Sequence, residues 1–318
     1  MEYRKFGDTD LVVSEICFGP MRFAARAQGE DEVSRRGKRA LERAIERGVD
    51  FIHSSYEYGT RWAMGDVLEK HPRRHDLHHI IKVPIPDFKD GDRFDAEKFR
   101  LRVEEALREL HTDCIDVVQH LLRSDPNTDE RRIPNISEVD GPLREIFETL
   151  KAEGKVKYLT TFPYTVGFAR SSLETGAFSG MVAYYNLIEM EMAEFFPRMQ
   201  ERDQGFFCIR PLMAGLLTDR RSDRGSLPDG DRFQDSQWDE RYQHLEELKS
   251  LFPEQTDSLT AFAVRFVLCH PVVTSLIVGM NSEEQVDGVI DAADGDYPDL
   301  SVFEKAWELW KNRKTVDP

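Results

Sequence analysis

The stretch Gly48-Val49-Asp50-Phe51-Ile52-His53-Ser54-Ser55-Tyr56-Glu57-Tyr58-Gly59 decides the fold. It follows a helical segment ending at Arg47 and runs apolar through Phe51 and Ile52. It then breaks into small and polar residues, a tyrosine and a glycine. A parallel strand that ends in a reactive loop reads this way. In α/β barrels such groups project from the C-terminal ends of the strands.

Outward from that stretch, short β-rich runs alternate with helical patterns, the mark of a parallel sheet built from βα units. The expected strands are Ile16-Phe18, Phe51-His53, Ile80-Val83, Ile115-Gln119, Val156-Thr160, Met181-Tyr185, Phe206-Ile209 and Ser275-Val278. Between them lie amphipathic helices; in Phe99-Leu110, Val103, Ala106, Leu107 and Leu110 share one apolar face. The fold expected is α/β: a single (β/α)₈ barrel domain over residues 1–318. Tyr3-Lys5 and Leu11-Val13 form an added N-terminal hairpin, and an extra C-terminal helix runs through Val302-Trp310. Two polar stretches, Arg123-Glu138 and Asp219-Asp239, read as exposed loops, the second a candidate lid over the barrel mouth.

Composition narrows the class of function. A net charge of -16 argues against a nucleic-acid binder, which needs clustered Lys and Arg, but permits a small anion in a local basic pocket. No run reaches the roughly 20 apolar residues of a membrane span, and Met1-Lys5 lacks an apolar signal core. Cys17, Cys114, Cys208 and Cys269 are far apart and read as reduced thiols of a cytoplasmic protein. The histidine-rich stretch His71-His79 fits no zinc spacing, so no metal is expected.

The opening stretch resembles the second strand and loop of the aldo-keto reductases, G-[IV]-N-F-F-D-T-A-x-x-Y-G, with Tyr58 and Gly59 in place. The resemblance extends through Tyr3-Gly7, Val103-Leu110, Asp113-Asp116, Tyr185-Leu187, Pro211-Thr218 and Ala263-Gly279, in family order. It implies carbonyl reduction or alcohol oxidation on a small-molecule substrate, with NADP or NAD, by a tetrad of Asp, Tyr, Lys and His. Tyr58 matches the proton donor and Lys82 the lysine. A neighbouring ammonium is expected to lower the phenol's pKa. His53 stands where the aspartate belongs and should be neutral beside a charged Lys82. His120 lies one residue before the family's histidine position, which Leu121 occupies, so strand alternation turns it away unless a bulge intervenes.

The resemblance places cofactor contacts at Asn186, Arg210, Pro211, Leu212, Gly279, Met280, Asn281 and Gln285. Phe162-Pro163 replaces its amide-holding Ser-Asn, Val182 replaces its Gln, and the Lys or Arg it uses for an NADP 2′-phosphate is absent where Glu283-Glu284 follow Gly279-Ser282. Those departures leave two other classes open: a non-redox proton-transfer enzyme (dehydratase, isomerase or lyase) using Tyr58 and Lys82, and a non-catalytic binding or partner protein.

Overall fold

The computed structural model describes residues 1–29, 31–88 and 93–314. Strands β1 (Tyr3–Lys5) and β2 (Val12–Ser14) pair antiparallel as the N-terminal hairpin. Eight further strands are β3 (Ile16–Gly19), β4 (Phe51–Ser55), β5 (His78–Pro84), β6 (Ile115–Leu121), β7 (Val156–Thr161), β8 (Gly180–Tyr184), β9 (Gly205–Ile209) and β10 (Val273–Gly279). They are all parallel and close into a barrel in chain order, with β10 beside β3. All eight expected strands are present, most of them a residue or two longer than their apolar runs.

The helices are α1 (Glu32–Glu46), α2 (Arg61–Leu68), α3 (Ala96–Glu109), α4 (Asp129–Ala152), α5 (Val166–Glu174), α6 (Phe196–Glu201), α7 (Asp239–Leu251), α8 (Leu259–Leu268), α9 (Glu283–Ala293) and α10 (Leu300–Lys314). The stretch Arg123-Glu138, expected as a loop, is helical from Asp129 onward. Acidic Asp129 and Glu130 sit in its first turn, where they complement the helix dipole, and the helix carries Pro134 and Pro142 within it. The stretch Asp219-Asp239 consists of short 3₁₀ turns anchored by the buried Leu227 and Phe233.

Barrel closure makes the two strand faces unequal. Outward residues join the helices in one large apolar cluster, while Phe6, Val13, Cys17, Phe51, Ile80, Val117, Val182 and Phe207 fill the interior. Phe6, delivered by the hairpin, stacks on Phe207 at 4.4 Å and plugs the N-terminal end. A Cβ at Gly205 would lie 2.2 Å from the Phe6 ring, and one at Gly180 2.7 Å, so both positions exclude a side chain. Higher up, inward positions turn polar: His53 follows Phe51, Lys82 follows Ile80, and Gln119 follows Val117. That gradient puts the chemistry at the C-terminal mouth.

At the opposite end Asp116 ties three strands together. Its Oδ1 lies 3.1 Å from His78 Nδ1 and 2.7 Å from Lys157 Nζ, and its Oδ2 accepts the His79 amide at 2.9 Å. Burial pushes this carboxyl up, but the bonds from His78, Lys157 and His79 outweigh it and bring the pKa down to about 2. Burial lowers His78 as well, yet the contact with Asp116 leaves it above 6.5. The carboxylate's contribution to stability is therefore present above its ordinary 3.8 and lost as pH falls toward about 2. The histidine's contribution is complete below 6.5 and fades as pH rises through its elevated value. Asp116→Asn should cost about 2 kcal/mol, as expected for hydrogen bonds to charged groups. Denaturant titrations should find the largest difference from wild type between pH 3.8 and 6.5, narrowing in stronger acid. A pH-independent difference would assign the loss to packing.

Candidate active site

Strand β4 ends at Ser55, and the chain enters a single 3₁₀ turn, Tyr56–Tyr58, closed by Gly59 at φ 65°. This left-handed position favours glycine and reverses the chain toward α2. The turn holds Tyr58 half-buried over the barrel, with its ring centroid 5.8 Å from that of His53 and 4.9 Å from Lys82 Nζ. Register explains the gathering: Ser55 pairs with Lys82 across β4 and β5, and Lys82 with Gln119 across β5 and β6.

His53 is buried, with Nε2 3.1 Å from Gln119 Oε1. Burial first, and then the charge of Lys82, push its pKa down to about 3, so the ring is neutral over the whole working range. Burial lowers Lys82 too, against the pull of Glu57, whose Oε2 lies 2.8 Å from Nζ. Arg123 holds the other side of the Glu57 carboxylate. The expected lowering of Tyr58 by its ammonium neighbour is overturned. Burial and then the charge of Glu57 raise the phenol above its ordinary 10, with Tyr184 and Tyr164 adding to the effect. The resting state therefore keeps the phenol proton.

His120 does not join this group. Strand β6 keeps an unbroken register with β5 through Pro84 opposite Leu121, so no bulge rotates it inward. Its Nε2 donates to the Ile85 carbonyl at 2.9 Å, and its ring sits between Phe94 and Phe178. Asn186 is likewise consumed by structure. Its Nδ2 donates to the Arg210 carbonyl at 3.0 Å and to Glu189, while Oδ1 accepts the amides of Ile188 and Glu189. Those bonds brace Arg210, which adopts φ 61°. Met280 is fully buried in the outer core.

A cleft of about 1060 Å³ runs from Tyr58 and His53 across the ends of β9 and β10 to α9. Arg210, Pro211, Leu212, Gly279, Asn281 and Gln285 line it, so most of the cofactor positions and two of the catalytic candidates share one space. Its wall also carries Arg22, Arg220, Arg221 and Arg232, with Asp219, Glu284 and Asp291. Burial, then the positive charges of Arg22, Arg221 and Arg210, lower the pKa of Arg232, a sign of crowded guanidinium groups. In a chain of net charge -16 this is a local anion-attracting field. Sequence reading missed it because Arg22 lies far in sequence from the loop that supplies the others. It also missed Gln119 and Arg123, whose only sequence signal was polarity at the end of an apolar strand.

Beside Arg210 the mouth is aromatic. Phe162 packs against Tyr164 and edge-on to Tyr184, and Arg210 lies 4.9 Å over the Tyr184 ring. Val182 lies inside the barrel core. Neither Phe162 nor Val182 offers a polar side-chain group.

The pattern of the aldo/keto reductase family matches residues 15–303. An uncharacterized oxidoreductase, YrpG, of Bacillus subtilis (strain 168) is 28% identical, over 92% of this chain and 91% of the relative. The L-galactose dehydrogenase of Arabidopsis thaliana is 22% identical, over 90% and 86%. Among solved structures, the holo form of aldo-keto reductase AKR11C1 from Bacillus halodurans superposes with a TM-score of 0.74 at 24% identity, over 97% and 96% of the two chains. The glycerol dehydrogenase AKR11B4 from Gluconobacter oxydans gives 0.75 at 20% identity, over 98% and 95%. The chain belongs to the aldo/keto reductase family and so to the oxidoreductases, a membership that implies a nicotinamide cofactor. Among the described residues, no helix is long and apolar enough to cross a membrane.

A neutral His53 can be checked directly. Its imidazole resonances, followed by NMR in isotopically labelled protein, should not titrate between pH 5 and 9, because its pKa is about 3. A midpoint near 6.5 would show the ring to be solvated and uncoupled from Lys82.

Proposed function

We propose that this protein interconverts a carbonyl compound and its alcohol, using NADP or NAD bound along the cleft and Tyr58 as acid and base. The observation that carries the reading is the continuity of that cleft. Tyr58 and His53 stand at one end, and the arginines and the start of α9 stand at the other. Its volume lies at the upper limit of ordinary ligand sites, roughly 300–1,000 Å³, as an extended dinucleotide requires. Arg22, Arg210, Arg220, Arg221 and Arg232 suit the phosphates, and Gly279, Asn281, Gln285, Pro211 and Leu212 would border the rest.

When bound, the cofactor supplies or accepts the hydride. The chain supplies the proton. Tyr58, kept protonated by burial and by Glu57, donates from Oη to the oxygen that becomes the alcohol, and recovers the proton in the reverse direction. The Lys82 charge beside the ring favours phenolate as the proton leaves, an interaction that gains value during the step itself. His53 completes the wall as a neutral ring, so that it adds no further cation beside Lys82 and Arg123. The relatives described as L-galactose and glycerol dehydrogenases make small polyhydroxylated alcohols and their carbonyl products the first substrates to try.

Titration with NADH and NADPH, followed by nicotinamide fluorescence, should show saturable binding by at least one of them. Failure of both at millimolar concentration would remove the reading. Tyr58→Phe should cut turnover by about 10²–10⁴-fold while leaving cofactor affinity in place. Arg232→Gln should do the opposite, weakening binding about tenfold with little change in kcat, as expected for the loss of one charge-assisted contact.

A further inference from the structure

We infer that Glu57 is the counter-ion that positions Lys82 against Tyr58, and that Arg123 holds Glu57 in that place. The inference rests on the reading of Tyr58 and Lys82 given above and extends it to two residues that act through them. Lys82 is 8% exposed, and an ammonium so buried needs an anion. The inward position below it on β4 carries neutral His53. Among the described residues, the carboxylate in contact with Nζ is that of Glu57, at 2.8 Å.

The contact is built from several sides. Arg123 grips Glu57 in a fork, through Nη1 to Oε1 and through Nη2 to Oε2, the latter at 3.3 Å. Arg123 is itself fixed by its amide, which donates to the Pro86 carbonyl at 3.1 Å, and by Phe88, whose ring lies 5.0 Å from the guanidinium carbon. Side-chain exposures of 11% for Lys82, 25% for Glu57 and 12% for Arg123 separate this chain of charges from a solvated surface pair. Three successive βα loops meet in it, those after β4, β5 and β6.

The arrangement moves the anion. A strand-borne acid at position 53 would approach Lys82 from the barrel floor, whereas Glu57 approaches from the rim, on the same 3₁₀ turn as Tyr58. Acid and phenol are adjacent in sequence, so the turn that aims the proton donor also aims the group that keeps its lysine charged. Without Glu57, Lys82 and Arg123 would face each other with no anion between them.

The test measures Lys82 itself, in full-length protein carrying labelled lysine, with its NMR signal assigned through Lys82→Arg. In Glu57→Gln the Lys82 titration midpoint should fall by at least about one pH unit, a tenfold change in the ammonium-to-amine ratio at a given pH. Glu57→Asp should fall by less. Adding His53→Asp to Glu57→Gln should return the midpoint toward wild type, by restoring an anion from the floor. The alkaline limb of kcat/KM should follow the same order. An unchanged midpoint in folded Glu57→Gln and Glu57→Asp would overturn the inference, whatever the turnover. A fallen midpoint in a protein that neither binds NADH or NADPH nor turns over a carbonyl would uphold the ionic arrangement and remove the reductase reading instead.

Discussion

Everything at the mouth of this barrel depends on the two-residue alternation of its strands. A closed sheet has one inside, and each strand sends every second side chain there. On β4 that series is Phe51, His53 and Ser55, on β5 it is Ile80 and Lys82, and on β6 it is Val117, Gln119 and Leu121. The lower members are packed shut by Phe6 and Phe207. The upper ones inherit a dry floor and an open mouth. A slip of one residue in any strand would exchange its polar members for those now buried among the helices, which is why His120, next to two inward positions, takes no part.

That dry floor sets the charge states. Burial opposes every ion placed on it, so His53 gives up its proton, while Lys82 keeps its charge where an anion comes within reach. Burial also raises the phenol of Tyr58, and Glu57 adds to the rise while pairing with the lysine beside it. The same carboxylate thus stabilises a proton on both neighbours. For reduction this is a suitable resting state, since the acid must hold its proton until charge develops on the carbonyl oxygen. In the reverse direction the phenolate must stand ready to take the alcohol's proton and becomes phenol as it does so, and the ammonium 4.9 Å from the ring is placed to stabilise it beforehand.

The barrel was legible because each strand is an apolar run cut off by turn residues, a signal local to a few positions. Lys82 stood out in the same way, as a polar group ending such a run, whereas Tyr58 was singled out by the resemblance of its loop to the family's. Helix α4 was not: Asp129-Glu130-Arg131-Arg132 and Pro134 read as a polar break, whereas the apolar face formed by Val139, Leu143, Phe147 and Leu150 shows itself later in the helix. Asn186 looked available for a ligand because sequence shows an amide but not its partners, which are Ile188 and Glu189 of its own turn and the carbonyl of Arg210 just beyond β9. The arginine cluster depends on one residue after β3 meeting four after β9, a meeting that only barrel closure brings about.

In the proposed complex these features divide the work of binding unequally along the cleft. Near the nicotinamide end, Phe162 and Val182 offer no hydrogen bond and Asn186 has none to spare, so an amide buried there without replacement partners would cost about 1–3 kcal/mol for each group left unpaired. At the other end, hydrogen bonds from guanidinium groups to phosphate are each worth about 1.5–3 kcal/mol, and the cleft presents several. Three such contacts would offset the three replaced amide partners. Affinity then follows the phosphates and their screening by salt, while the reacting end is free to be shaped by packing and proton transfer. On the proposed reading, arginines at the phosphate end would let such a barrel keep its cofactor while the surroundings of Tyr58 are rebuilt.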